Sequence, residues 1–237
     1  MNYYKNDKMK TAYYSAMGEN HLKSNGENQD AICFEYLSVD KWFVAIADGV
    51  SSASHSKEGA IFATEVVKEL ALSFELHDRI NLDELKVWLV RRWKEKIIND
   101  WNEYATTLNF VYHSKGYLLV GQIGDGLIWL DIDGKKYEFC VDEDFYSSET
   151  EALCEAVRKN SFRLELQSVT DRIDLYMMSD GVGKEVLQDS RDELGDYLHG
   201  LLLQDEESIE KEIKHWFIEL GNKNGDDKSI AFISWED

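Results

Sequence analysis

The chain has 237 residues, long enough to bury a sizeable core, and its 43% hydrophobic and 12% aromatic side chains exclude general disorder. Its 46 acidic against 26 basic side chains give a net charge of −20, a field that repels nucleic acid and anionic membrane surfaces. Neither is an expected partner. The three cysteines, Cys33, Cys140 and Cys154, are scattered without CxxC spacing and point to free thiols in a reducing compartment. The N-terminal ten residues lack an apolar stretch, and no run approaches the roughly 18 apolar residues that span a membrane. A cytoplasmic protein is expected. No low-complexity linker or repeat interrupts residues 1–237, which favours a single domain.

In chain order, Ala31 to Val39 and Lys41 to Ala47 read as paired strands joined near Asp40. Ser56 to Leu76 follows with Ile61, Val66, Val67, Leu70 and Phe74 at helical spacing. Gly59, Ala60 and Ala63 let that helix approach a neighbour closely, and Ser51, Ser52 and Ser54 are placed to cap its amides. A longer helix is predicted over Leu82 to Asn102, with Leu85, Leu89, Trp93, Ile97 and Trp101 on one stripe. Its Arg91-Arg92-Trp93-Lys94 run is read as a solvated face ahead of a docking patch. Strands dominate from Thr106 to Val141, with Asp133-Gly134 as a hairpin turn. The Asp131-x-Asp133-Gly134 fragment has a likeness to a calcium loop, but the remaining ligand spacing is missing. Glu149 to Lys159 is predicted as a short helix, Phe162 to Val169 and Ile173 to Ser179 as strands, and Ser208 to Leu220 as a final helix. So many strands exceed a simple alternating βαβ chain, and two antiparallel sheets with helices packed outside them fit best.

Four aspartates stand where an apolar, strand-like run meets a turn. Phe43-Val-Ala-Ile-Ala-Asp48, Leu118-Leu-Val-Gly-Gln-Ile-Gly-Asp125 and Leu175-Tyr-Met-Met-Ser-Asp180 are each followed by glycine; Asp226-Asp-Lys-Ser229 instead leads into an apolar run. A single Asp-Gly step is an ordinary strand-ending turn. Several such ends converging would make an oxygen-rich pocket for hard divalent cations such as Mg²⁺ or Mn²⁺. The net charge also repels any phosphorylated substrate unless metal ions reverse the sign locally.

Read in order, the motifs are Gly18-x-x-His21, Gly26-Glu-Asn-Gln29-Asp30-Ala31, Ala47-Asp48-Gly49-Val50-Ser51-Ser52, Gly59-Ala60, Ala105-Thr-Thr107, Gly124-Asp125-Gly126, Ser179-Asp180-Gly181-Val182 and Asp226-Asp227-Lys228-Ser229. This order resembles the metal-dependent serine/threonine phosphatases of the PP2C (PPM) family, most of all its bacterial branch with an N-Q-D-A segment. The resemblance spans residues 18 to 235. It implies an α+β fold, a four-layer αββα sandwich of two antiparallel sheets flanked by helices. It also implies a binuclear Mg²⁺/Mn²⁺ centre. By position, Asp48 would bridge both metals and the Gly49 carbonyl would bind one. Asp180 and Asp226 would hold the other, and Asp30 would contribute directly or through water. Asp125 would serve a third, weaker metal, with Asp227 behind the ligands or as an alternate to them. Water activated by the two ions would then hydrolyse the phosphoester directly, without a phosphoenzyme.

The chain departs from the family pattern at the phosphate end. Gln29 stands where many relatives place a glutamate, Asn25 where many carry an arginine that binds phosphate, and Val50 where a histidine often protonates the leaving group. His21 and His55 are the available candidates for acid or phosphate contacts, and Lys23 for the latter. The resemblance therefore implies a phosphoserine/phosphothreonine protein phosphatase with a phosphorylated protein as substrate, acting against a serine/threonine kinase, and a monomer is expected. The alternative is a catalytically weak relative that binds phosphoproteins or regulates a kinase.

Overall fold

The computed structural model describes residues 1–98, 100–140, 151–157, 161–221 and 223–237. In chain order the strands are β1 (Asn2–Lys5), β2 (Met9–Ala16), β3 (Asp30–Ser38), β4 (Lys41–Asp48), β5 (Leu108–Ser114), β6 (Tyr117–Ile123), β7 (Leu127–Ile132), β8 (Lys135–Phe139), β9 (Arg163–Ser168), β10 (Arg172–Met178) and β11 (Lys228–Glu236). The helices are α1 (Glu19–Ser24), α2 (Ser56–Ser73), α3 (Leu82–Glu95), α4 (Asp180–Gly183), α5 (Arg191–Leu201) and α6 (Glu206–Gly221). All strand pairings are antiparallel and form two sheets, ordered β1-β2-β11-β10-β7-β8 and β3-β4-β5-β6-β9. The expected α+β class, two antiparallel sheets flanked by helices, is borne out.

Contacts group the chain into two compact units. One comprises Met1–Asn28, Gly126–Cys140 and Thr170–Asp237 and holds the six-stranded sheet; the other comprises Gln29–Asp125 and Val141–Val169 and holds the five-stranded sheet. In the second unit, Ala60, Ala63, Val67 and Leu70 of α2 join Phe43, Ala45, Phe110 and Tyr112 of β4 and β5 in one buried cluster. The small residues at the start of α2 have the predicted purpose. A methyl at Gly59 would collide with the Tyr104 carbonyl, and the indole of buried Trp93 donates to the Gly59 carbonyl at 3.1 Å. In the first unit, Leu198, Leu201, Ile209, Ile213 and Phe217 of α5 and α6 share a cluster with Ala12, Trp129, Tyr176 and Phe232 of the six-stranded sheet. Among the described residues no helix is long and apolar enough to cross a membrane, and Cys33, Cys140 and Cys154 form no disulfide.

Several expectations need correction. The predicted helix over 82–102 ends at Glu95; the Asp100 carboxylate then accepts from Asn102 N at 2.9 Å and starts a separate 3-10 turn, Trp101–Tyr104. At the end of α3 the hydrogen bonds tighten to the three-residue spacing, Lys96 N to the Trp93 carbonyl and Ile97 N to the Lys94 carbonyl, both at 3.1 Å, although the apolar stripe continues. Residues 149, 150, 158 and 159 of the predicted 149–159 helix lie outside the described residues. The described part, 151–157, is not helical, because Leu153 instead exchanges backbone hydrogen bonds with Thr106. Nor do the serines cap α2: the N-cap position is His55, with no side-chain cap bond. By contrast the 208–220 helix is longer than predicted, with Asp205 accepting from Ser208 N at 3.0 Å at its start. Helix α5 and strands β1 and β2 were not predicted.

The Asp133-Gly134 turn joins β7 to β8 with φ of 52° and 82°, both left-handed, as a two-residue hairpin of this pairing requires. Its carboxylate accepts from Thr170 N, Thr170 Oγ1 and Asp171 N at 2.9 Å and from Arg172 N at 2.8 Å. That arrangement disposes of the calcium-loop likeness, since the carboxylate is already engaged. Burial opposes ionisation here, but the three backbone donors and the threonine hydroxyl outweigh it and hold Asp133 down at about 2, from an ordinary 3.8. The stabilisation is therefore complete above pH 3.8 and is lost as pH falls through about 2. Asp133→Asn, which tolerates the left-handed backbone, is expected to melt below wild type near neutral pH. The gap between the two melting curves should close across that acidic window; a gap that stayed constant to pH 2 would contradict this account.

Candidate functional site

Each unit presents a pair of aspartates. In the five-stranded sheet, Asp30 opens β3 directly opposite Asp48, which ends β4. Asp30 is buried at 8% exposure. Like charges directly opposite on neighbouring strands repel, and a cation between them would offset that repulsion. The Ala105-Thr-Thr107 motif fixes its geometry. Asp48 N donates to Thr107 Oγ1 at 2.9 Å, while the Asp48 carbonyl accepts from Thr106 Oγ1 at 2.9 Å and Thr107 N at 2.8 Å. Gly49 N donates to the Gln29 carbonyl at 3.3 Å, and a methyl on Gly49 would press within 2.8 Å of Ser56, so only glycine fits. Asp125 follows Gly124, whose φ of 104° is a left-handed value, at the end of β6.

In the six-stranded sheet, Asp180 begins α4 immediately after β10, and Asp226 lies in the loop before β11. Ser179 ties the two together: its N donates to the Ser229 carbonyl and Ser229 N donates to its Oγ, both at 3.0 Å. Close glycine contacts hold the Asp226 loop. A methyl at Gly18 would collide with Asp226, one at Gly181 with the Asp227 carbonyl, and one at Gly225 with Asn20. Lys228, 3% exposed, donates to the carbonyls of Asn224 at 3.1 Å and Asp226 at 2.7 Å from within the loop. Burial raises the Asp226 pKa above the usual carboxylate range and the adjacent Asp180 charge raises it further, against the opposing ammonium of Lys184. Asp226 as a residue remains exposed. The repulsion from Asp180 is thus the part of the shift that a bound cation would remove.

Asp227 has a different place from Asp226. It is buried at 4% exposure, accepting from Gly18 N at 2.7 Å and meeting His21 Nδ1 at 2.9 Å. His21 is thereby held with Nδ1 engaged. The other candidates have structural duties: the His55 ring stacks on Tyr104 at 4.9 Å, and Lys23 pairs with Glu19 at 2.7 Å on the surface. Asn25 is the C-cap of α1 with φ 53°, a left-handed position where asparagine is tolerated and arginine is not favoured. Sequence reasoning missed the Asp227–His21 contact, the Lys184 ion pair to Asp180 at 2.5 Å, and the Lys228 clamp.

The donors suit the expected metals. They are carboxylate and carbonyl oxygens, hard ligands without thiol or imidazole, and Mg²⁺ keeps several waters, so a pair of carboxylates suffices to hold it. Among the described residues no group of three or more His, Cys, Asp or Glu side chains is placed to hold a metal by itself.

The family model for protein phosphatase 2C matches residues 17–218. A comparison with curated protein sequences finds no match. Solved structures of the same fold include RsbX in complex with magnesium, at 13% identity and TM-score 0.66 over 99% of this chain and 98% of that one. Another is the catalytic domain of the serine/threonine phosphatase PstP in complex with two manganese ions, at 18% identity and TM-score 0.66 over 97% and 99%. A third is the S. agalactiae serine/threonine phosphatase, at 17% identity and TM-score 0.59 over 95% and 98%. With most of its length matched, and with the ordered motifs on strand ends, the chain belongs to the protein phosphatase 2C family of metal-dependent serine/threonine protein phosphatases.

Proposed function

We propose that the chain hydrolyses phosphoserine and phosphothreonine in proteins, using Mg²⁺ or Mn²⁺, and that it acts as a cytoplasmic monomer opposing a serine/threonine kinase. The observation that carries this reading is the like-charged aspartate pair in each unit, Asp30 opposite Asp48 and Asp180 beside Asp226. Asp30, Asp48 and the Gly49 carbonyl in one unit, and Asp180 and Asp226 in the other, are the ligands; Asp125 serves a third, weaker ion. Bound cations would supply water of lowered pKa and offset the repulsion between phosphate and the −20 chain.

The protein's part is positional. Thr106 and Thr107 hold the Asp48 backbone, so its carboxylate needs little reorganisation on binding. Lys228 and the close-packed glycines hold Asp226 in the same way. With Nδ1 on Asp227, the His21 ring keeps Nε2 for a proton that the leaving serine or threonine oxygen can take. This would replace the histidine that Val50 displaces.

The test is release of phosphate from a phosphothreonine peptide with Mn²⁺, after chelation, and after Mn²⁺ is restored. Activity should vanish on chelation and return with the ion. Turnover that persists in excess chelator would end the metal-dependent reading. Peptide binding without turnover in any divalent ion would replace it with a phosphoprotein-binding module.

A further inference from the structure

Lys184 and Lys228 act on the Asp180 and Asp226 pair and Lys223 precedes Asp226 in the chain, and the engagements of the three differ. Lys228 is buried and committed to main-chain carbonyls, and Lys223 pairs with Glu185 at 3.7 Å. Lys184, one turn after Asp180 at the end of α4, sets its Nζ 2.5 Å from Asp180 Oδ2. Its side chain is 58% exposed while that of Asp180 is 13% exposed, so the cation covers the carboxylate from the solvent side.

An ion pair with so exposed an ammonium contributes little to stability. The lysine stem is flexible, and its three donors rotate freely toward a new acceptor. A doubly charged phosphate is a stronger acceptor than a carboxylate already neutralised by a divalent ion. The chain carries a net charge of −20, a field that an incoming phosphate must overcome.

We propose that Lys184 contacts the substrate phosphate: its ammonium rests on Asp180 Oδ2 until a divalent cation takes that carboxylate, and then turns to a phosphate oxygen. This rests on Asp180 being a cation ligand. Lys184 would thus do the work of the phosphate-binding cation for which Asn25 is no substitute.

The experiment uses the full chain as Lys184→Met, Lys184→Arg and Asp180→Asn. Mn²⁺ binding without substrate is measured by calorimetry, and steady-state kinetics on a phosphothreonine peptide follow. Lys184→Met should bind Mn²⁺ severalfold more tightly, because the competing ammonium is gone. Its KM should rise roughly tenfold with kcat changed much less, the loss of one charge-assisted hydrogen bond. Lys184→Arg should restore KM. An unchanged KM in Lys184→Met overturns the proposal, whatever its melting temperature does. Asp180→Asn separates the two ideas. If it abolishes Mn²⁺ binding while Lys184→Met changes neither affinity nor KM, only the lysine inference fails. If Asp180→Asn leaves the Mn²⁺ isotherm intact, the ligand reading beneath it fails as well.

Discussion

Asp48→Asn should lower kcat on a phosphothreonine peptide by about a thousandfold. That figure corresponds to the several kcal/mol of charge stabilisation that a correctly held cation supplies, at about 1.4 kcal/mol per tenfold. The side-chain amide is isosteric, and the bonds that fix residue 48 are made by its main chain to Thr106 and Thr107, so the fold should survive. Stability gives an independent readout. Removing one of two carboxylates that face each other across β3 and β4 relieves repulsion worth roughly 0.2–1 kcal/mol. The metal-free variant should therefore melt at or slightly above wild type, while the rise in melting temperature that Mn²⁺ confers on wild type shrinks. A variant that is inactive but markedly less stable without metal would show a structural aspartate instead.

The second large effect is expected at Gly181. A methyl there would run into the Asp227 carbonyl, and main chain cannot yield as a flexible side chain does. Gly181→Ala should cost about 1–3 kcal/mol, the range for overpacking. For a chain of this length that is roughly 5 °C in melting temperature. Because relief must come from shifting the Asp226–Asp227 loop, Mn²⁺ affinity and the His21 contact should weaken together. Gly200→Ala is the control: it lies in α5 with nothing within 4 Å of the added methyl, and alanine should raise helix stability there. Equal, small effects at both positions would show that the loop is not held by this contact.

The parts of this molecule legible in sequence were those governed by short-range patterns. The β3–β4 hairpin, the small-residue face of α2 and the Asp133-Gly134 turn all follow from neighbours a few positions apart. Helix α5 escaped because Gly195 and Gly200 lower its propensity; Gly195 is needed there because a methyl would strike the Trp129 ring. Helix α3 is shorter than its apolar stripe, which continues through Ile97 and Trp101; periodicity is blind to the tightened hydrogen bonds of Lys96 and Ile97 that close it and to the separate turn that Asp100 caps. In the candidate site, individual aspartates could be read from strand-end motifs, but their partners could not. His21 meets Asp227 across 206 positions of sequence, and no local signal encodes that. Lys184 was within reach, four residues after Asp180, yet an i,i+4 pair on so short a helix looks like any surface pair until exposure is known.

Strand β11 has a consequence for synthesis. It lies between β2 and β10, with Lys228 opposite Ala16 and Trp235 opposite Met9. During translation β2 therefore waits, one edge unpaired, until more than 200 further residues have been made. Pairings so distant in sequence are slow to form, and an open edge is exposed to other chains in the meantime. The loop bearing Asp226 and Asp227 is made at the same late stage, so a nascent chain that has not reached it carries Asp180 without its Asp226 neighbour and His21 without the carboxylate that holds its Nδ1.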